Sequence, residues 1–315
     1  TSGATESNNI AIQGAAFARA SRGKHLITML TEHKAVTDTF KALEKRGFEV
    51  TWLSPNNSGL LVLETLLEAI RPDTQLVSIM HINNETGVVQ DIYTIGNLCR
   101  NKDILFHCDA AQSIGKIEID LDKIPIDLLS ITAHKIYGPP GIGALYVSDR
   151  PACGVLPIMF GGSQEKKIRP GTLPVHQIAG FGLASEIAIR EMHENLDHVK
   201  SIRNKFLLGM KELSGIKING DLENSYPGIL NISAPGIDGE SLIFGLEPLC
   251  VARGSACNST NNEPSHVLKA MGNNDLEAQS AIRFSFGPWT NNDEVNFAIK
   301  KYKNVVEKLR NIALV

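Results

Sequence analysis

Between residues 24 and 147 short apolar runs alternate with amphipathic ones, and this alternation limits the possible folds more than any other feature of the chain. "KHLITML" (24–30), "FEVTWLS" (48–54), "TQLVSIMHI" (74–82) and "ILFHCDAAQ" (104–112) have the length and β-branched content of buried strands. "HKAVTDTFKALEKRG" (33–47), "LETLLEAIRP" (63–72) and "YTIGNLCRNKD" (93–103) repeat their apolar residues at helical spacing, and Gly47 closes the first of them. An opening segment, "ESNNIAIQGAAFARAS" (6–21), is also helical, and "DLLSIT" (127–132) and "GALYV" (143–147) add two strands. Strands separated by helices need crossover connections. The expectation is therefore an α/β fold with a mainly parallel sheet covered on both faces.

After this region the pattern changes. Residues 174–213 read as one long helical stretch that is expected to be bent or broken. Short strands ("ILNISA", 229–234) and amphipathic helices (240–247, 264–272, 293–312) follow. The division read from sequence is a large domain over 1–192 and a smaller α+β domain over 193–315. A net charge of −3 argues against a general binder of nucleic acid or membrane surfaces. No apolar run approaches the ~18 residues of a membrane span. The opening "TSGATESNNIAIQG" has neither the basic region nor the apolar region of a signal peptide.

In an open parallel sheet, ligands bind at the carboxyl ends of the strands. Those ends carry an unusual set of polar residues: His33; Asn83, Asn84 and Glu85; Asp109 and Gln112; Thr132, His134 and Lys135. "TSGATES" opens the first helix with small residues that let backbone N–H groups face an anion, and Thr5 adds a hydroxyl. Taken singly, each residue reads as a turn, a cap or a solvated side chain. Together on one rim they suit pyridoxal phosphate (PLP). That cofactor needs a lysine to hold its aldehyde, a carboxylate facing its ring nitrogen, and an anion site for its phosphate.

The chain has five cysteines, at 99, 108, 153, 250 and 257, with no C-x-x-C pair. A disulfide framework and a zinc ribbon are both disfavoured, no metal site is read, and a reducing, cytoplasmic setting fits. Cys250 lies in an apolar run and is expected to be buried. Cys257 lies in "VARGSACNSTNNEPSHVL", whose small and polar residues suit an exposed loop and a reactive thiol.

The ordered set "TSGATES", "TEHKAV", "VSIMHINNETGVVQDI", "HCDAAQSIGK", "HKIYGP", "GTLPVHQI", "GSAC", "EPSHVL" and "IRFSFG" resembles the cysteine desulfurases. These are fold-type I PLP enzymes of the class V aminotransferase group, and the likeness is to the housekeeping type that supplies sulfur for iron–sulfur clusters. The resemblance implies that Lys135 holds the cofactor covalently, Asp109 pairs with its ring nitrogen, His33 stacks on the ring and serves acid–base steps, and Gln112 bonds its phenolic oxygen. It implies that Ala4, Thr5, Thr132 and His134 hold the phosphate, and that Thr172 reaches the other subunit's phosphate in a homodimer. Asn84 and Arg283 would position L-cysteine, with Arg283 on its carboxylate. Cys257 would take the sulfur as a persulfide, leaving L-alanine, and pass it to an iron–sulfur scaffold or another acceptor protein, with transient contact to a cluster. Sulfur for tRNA thiolation is a further implied use.

Four positions depart from the family pattern. Ala133 stands where glycine is usual, Pro140 where lysine is common, and Pro170 where serine is common. Arg253 stands near the nucleophile, where it either favours a thiolate or faces solvent. The chain also opens at what the resemblance makes the end of a strand, so it is expected to lack the usual N-terminal segment. Related lyases acting on selenocysteine or cystine, a class V aminotransferase, and a catalytically impaired remnant that acts by protein binding are the alternative readings.

Overall fold

The computed structural model describes residues 1–253 and 264–313. These form two compact units, one of residues 1–54, 61–83 and 90–192, the other of residues 55–60, 84–89 and 193–315. The sequence division leaves 55–60 and 84–89 in the first domain. Long-range pairing explains the placement of 84–89: Val88 bridges Ser225 in antiparallel fashion, and Tyr226 N–H donates to the Gly87 carbonyl at 2.9 Å.

In the first unit α1 (Ala4–Ala18) is followed by β1 (His25–Met29), α2 (Lys34–Glu44), β2 (Glu49–Leu53), α3 (Leu63–Ala69) and β3 (Thr74–Ser78). Then come α4 (Ile92–Asn101), β4 (Leu105–Asp109), β5 (Leu128–Thr132) and β6 (Gly143–Val147). The strand order is β2-β1-β3-β4-β5-β6. The first five are parallel to their neighbours, and only β6 runs antiparallel, against β5. Every residue of β1, β3 and β4 is buried, as expected of strands covered on both faces. One covering layer packs Ile12, Phe40 and Leu43 on Leu26, Leu76 and Leu105. The other packs Leu66, Ile92 and Cys99 on Ile27, Val77 and Phe106.

The stretch expected to be bent or broken is not broken: it is one continuous helix, α5 (Val175–Met210), of 36 residues. The sequence offers no proline between its ends to interrupt the hydrogen-bond ladder. In the second unit it is followed by β7 (Lys217–Asn219), β8 (Ile229–Ser233), α6 (Gly239–Leu246), β9 (Ala252–Arg253), α7 (His266–Ala270), α8 (Asp275–Gln279), β10 (Ala281–Ser285) and α9 (Asn292–Ala313). The sheet order is β7-β8-β10-β9, with antiparallel pairings throughout. Its core centres on Phe206, whose ring lies 4.7 Å from that of Phe284 and 5.5 Å from that of Phe286. Truncating such a ring to alanine costs about 3–5 kcal/mol.

Cys250 is exposed rather than buried. Its neighbours Leu249 and Val251 pack on the core of the second unit. Cys250 is the middle residue of a tight turn closed by Val251 N–H to the Leu249 carbonyl at 3.1 Å, so its two neighbours can pack inward while it stays at the surface.

Candidate active site

The rim residues of the first unit are set by the way each strand ends. β5 and β6 form a hairpin tied at its loop end by the Thr132–Gly143 pairing and by Ala133 N–H to the Ile142 carbonyl at 3.1 Å. A short 3-10 turn, Ala133–Ile136, follows Thr132 and closes on Tyr137, whose φ is +62°. Ala133 and Ile136 are buried and pack with Ile142 and Phe181, which leaves His134 and Lys135 to project from the turn. The departure at Ala133 costs nothing visible, since its methyl belongs to that cluster. Pro140 has its carbonyl accepting from Gln177 at 2.8 Å.

Asp109 ends β4 and is 4 % exposed. Its carboxylate accepts from Asn8 Nδ2 at 2.7 Å and from Ala111 N–H at 2.9 Å. Burial pushes this carboxyl above the usual range, against the pull of those two donors and of nearby His33 and Lys135. Asn8 is a residue that sequence reasoning missed. It stood out only as a polar side chain on the buried face of α1, beside Ile10, Ala11 and Ile12.

His33 caps α2, its Nδ1 accepting from Ala35 N–H at 3.1 Å. That bond fixes the neutral tautomer with its proton on Nε2. Beside it, Glu32 is fully buried and accepts from Met80 N–H at 2.7 Å. Burial holds its acid far above the carboxylate range, and the charge of Asp109 adds to the effect. Gln112 is buried and accepts from Lys116 Nζ at 3.0 Å.

The start of α1 carries Glu6 in its first turn and lies near Thr132. Gly3 is the helix cap and makes no side-chain capping bond. A Cβ on Gly3 would stand 3.7 Å from Thr132 Oγ1. That hydroxyl lies 3.0 Å from His134 Nδ1, and partial burial together with Lys135 and Lys116 lowers the pKa of His134. Ala4 and Thr5 begin the helix, with Thr5 exposed. Arg169 Nε donates to Glu6 at 2.9 Å, which fixes the neighbourhood of Pro170 and of exposed Thr172 against the first turn of α1.

Asn84 and Arg283 both belong to the second unit and are brought together there. Arg283 Nη1 donates to the Asn84 carbonyl at 2.9 Å. Among the described residues, Arg283 Nε and Asn84 Oδ1 are buried with no hydrogen-bond partner, and an unused donor and an unused acceptor on these two residues suit a small zwitterion. The side chain of Arg253 is 17 % exposed and stands 3.9 Å from Glu240, so it does not face solvent. Cys257 lies outside the described residues.

Residues 1–297 match the class-V aminotransferase family. "Cysteine desulfurase IscS" of Vibrio vulnificus (strain CMCP6) is 53% identical over 313 residues, 99% of this chain and 78% of the relative. The chain belongs to the class-V aminotransferase family, among its cysteine desulfurases. "Cysteine desulfurase IscS" of Enterobacter sp. (strain 638) is 51% identical over the same share of this chain. Among solved structures, a "NIFS-LIKE PROTEIN" superimposes with a TM-score of 0.90 at 36% identity, covering 98% of this chain and 82% of that one. "SspA in complex with cysteine" gives 0.80 at 40% identity, covering 92% and 81%. Enzymes of this family use PLP, and the first unit's residues fit it. An uncapped helix N-terminus with Thr132, His134 and Lys135 nearby suits a phosphate. A buried carboxylate held by Asn8 suits a protonated ring nitrogen, whose charge would offset the cost of burying Asp109.

Proposed function

We propose that this chain is a PLP-dependent cysteine desulfurase that converts L-cysteine to L-alanine and passes the sulfur to iron–sulfur cluster assembly. The observation that carries the reading is the rim itself: Asp109, Lys135, His33 and the start of α1, in a chain whose relatives are desulfurases. The bound cofactor supplies an electron sink for the substrate's carbon skeleton. Lys135 holds that cofactor, Asp109 faces its ring nitrogen, Gln112 bonds its phenolic oxygen, and Ala4, Thr5, Thr132 and His134 hold its phosphate. Thr172 serves the phosphate of a second subunit in a homodimer.

Arg283 takes the substrate carboxylate through its uncommitted edge, and Asn84 orients the substrate beside it. His33 presents Nε2–H to the reacting region. The Cys257 thiolate attacks the substrate's sulfur, the Cβ–S bond breaks, and the carbon skeleton takes a proton to become alanine. One sulfur atom moves to Cys257 as a persulfide, and no external oxidant or reductant is required. An iron–sulfur scaffold and other acceptor proteins then collect it in the cytoplasm.

Cys257→Ser distinguishes this chemistry from a PLP lyase or aminotransferase reaction. The variant is expected to keep PLP and to bind L-cysteine, while losing labelled protein persulfide and alanine formation. Peptide mapping after labelling with radioactive cysteine sulfur is the measurement. Label on another cysteine, or desulfuration by the serine variant, refutes the assignment.

A further inference from the structure

Glu85 lies beside the proposed substrate-binding residue Asn84 and has no part in the reaction as described above. It is 4 % exposed, and its carboxyl accepts from Ser265 Oγ at 2.5 Å. Ser265 is itself buried and caps α7, its Oγ accepting from Leu268 N–H at 3.2 Å. The Glu85 carbonyl accepts from Asn231 Nδ2 at 3.2 Å, and Asn231 on β8 stands opposite Arg283 on β10. The Asn84 carbonyl accepts from Arg283 itself. Three of the bonds that hold these two consecutive residues come from β8, from β10 and from the start of α7. The first two engage backbone atoms. The third depends on the chemistry of the Glu85 side chain alone.

We propose that Glu85 is a positioning residue for the substrate's carboxylate: its bond to Ser265 holds the Asn84 carbonyl against Arg283 and so aims the guanidinium's unused Nε edge. The inference rests on the reading that Arg283 receives the carboxylate. With Nη1 committed to the Asn84 carbonyl and Nε buried without a hydrogen-bond partner among the described residues, the direction of the guanidinium plane depends on where that carbonyl sits. A planar fork binds a carboxylate by two parallel bonds, so a small rotation spoils both. Burial pushes Glu85 up to about 7, against the pull of the Ser265 bond and the charge of Arg283. A serine hydroxyl donates to a carboxylate and accepts from a carboxylic acid, so the bond survives either state.

The test is calorimetric binding to the cofactor-loaded protein of L-alanine and of ethylamine, which is the same amine without the carboxylate. Glu85→Ala and Ser265→Ala are each expected to weaken L-alanine by about tenfold, the loss of about one buried hydrogen bond. Ethylamine should change by less than about twofold, and the double variant should be no worse than either single one, because both remove the same bond. Glu85→Gln keeps an acceptor for Ser265 and should restore L-alanine binding to within about twofold of the native protein. Unchanged L-alanine affinity in Glu85→Ala overturns the proposal, as does equal weakening of both ligands, which would mark a merely structural role. Arg283→Gln separates the two failures. If it weakens L-alanine while Glu85→Ala does not, only the positioning role falls, and if it leaves L-alanine binding intact, the carboxylate site falls with it.

Discussion

Gly143→Ala tests whether the phosphate end of the site depends on a close backbone approach. A Cβ built on Gly143 would meet the Ile131 carbonyl oxygen at 2.6 Å and Gly3 Cα at 2.7 Å, both backbone atoms that cannot swing aside. Ordinary contact begins at 3.4 Å, so the start of α1 must retreat by 3.4 − 2.7, or 0.7 Å, or β5 must open by a comparable amount. The retreat strains two main-chain bonds, Gly143 N–H to the Thr1 carbonyl at 2.9 Å and the Thr1 amine to the Gly143 carbonyl at 3.1 Å. Overpacking of this kind costs about 1–3 kcal/mol and each weakened bond up to about 0.5–1.5, so a loss of about 2–6 kcal/mol is expected. Because Gly3 also abuts Thr132 Oγ1, the displacement moves the helix N-terminus relative to the hydroxyl. PLP affinity of the apoprotein should then fall by about 10–100-fold, equivalent to about 1.4–2.7 kcal/mol. Absorbance titration of apoprotein with PLP, alongside a urea unfolding curve, measures both effects. Native affinity with native stability would refute the reasoning. Lowered stability with native affinity would show that the α1 start does not hold the phosphate.

Lys135→Ala is expected to abolish turnover and the borohydride-reducible link between protein and cofactor; a surviving link would place it on another lysine. Asp109→Asn should retain PLP but cut turnover by about 100-fold or more, because an amide fits beside Asn8 yet supplies no charge to a protonated ring nitrogen. Near-normal activity would mean another acid faces the ring. Stability should fall on the acid side through His107, which is fully buried between the Ser78 and Ser130 hydroxyls at 2.8 and 3.0 Å. Burial lowers its pKa from 6.5 to about 3. The folded state thus binds fewer protons than the unfolded one, and stability present above pH 6.5 drains away as pH falls towards 3, by up to about 5 kcal/mol. Urea midpoints at pH 7 and pH 4 measure the loss. His107→Gln should flatten that limb, and an unchanged limb would assign it to other groups.

The parallel sheet was legible because buried strands and crossover helices differ in both length and period, and the rim residues were legible because they follow those strands directly. The antiparallel turn of β6 was not, since "GALYV" reads alike in either direction. Nor could the sequence show that 84–89 joins the second unit, because the bridge between Val88 and Ser225 links segments far apart in the chain. Asn8 escaped for a related reason, and so did the contact that Glu85, itself among the polar residues read at the strand ends, makes with Ser265. Each depends on a partner distant in sequence, Asp109 for one and Ser265 for the other. Local pattern carries the elements, while pairings of this kind are set only when the chain closes on itself.

The capping bond of His33 has a chemical consequence of its own. With Nδ1 accepting from Ala35 N–H, the neutral ring has its proton on Nε2 and offers it as a hydrogen-bond donor; to give that proton up, the ring must first be protonated at Nδ1. To receive one at Nε2 it must likewise carry its hydrogen on Nδ1, and either event breaks the cap. A lost N-cap bond costs a helix about 1 kcal/mol. Each reversal of the ring's role therefore loosens the first turn of α2, so proton traffic at this histidine is tied mechanically to the helix behind it. A probe of that turn, such as amide exchange at Ala35, would register that loosening.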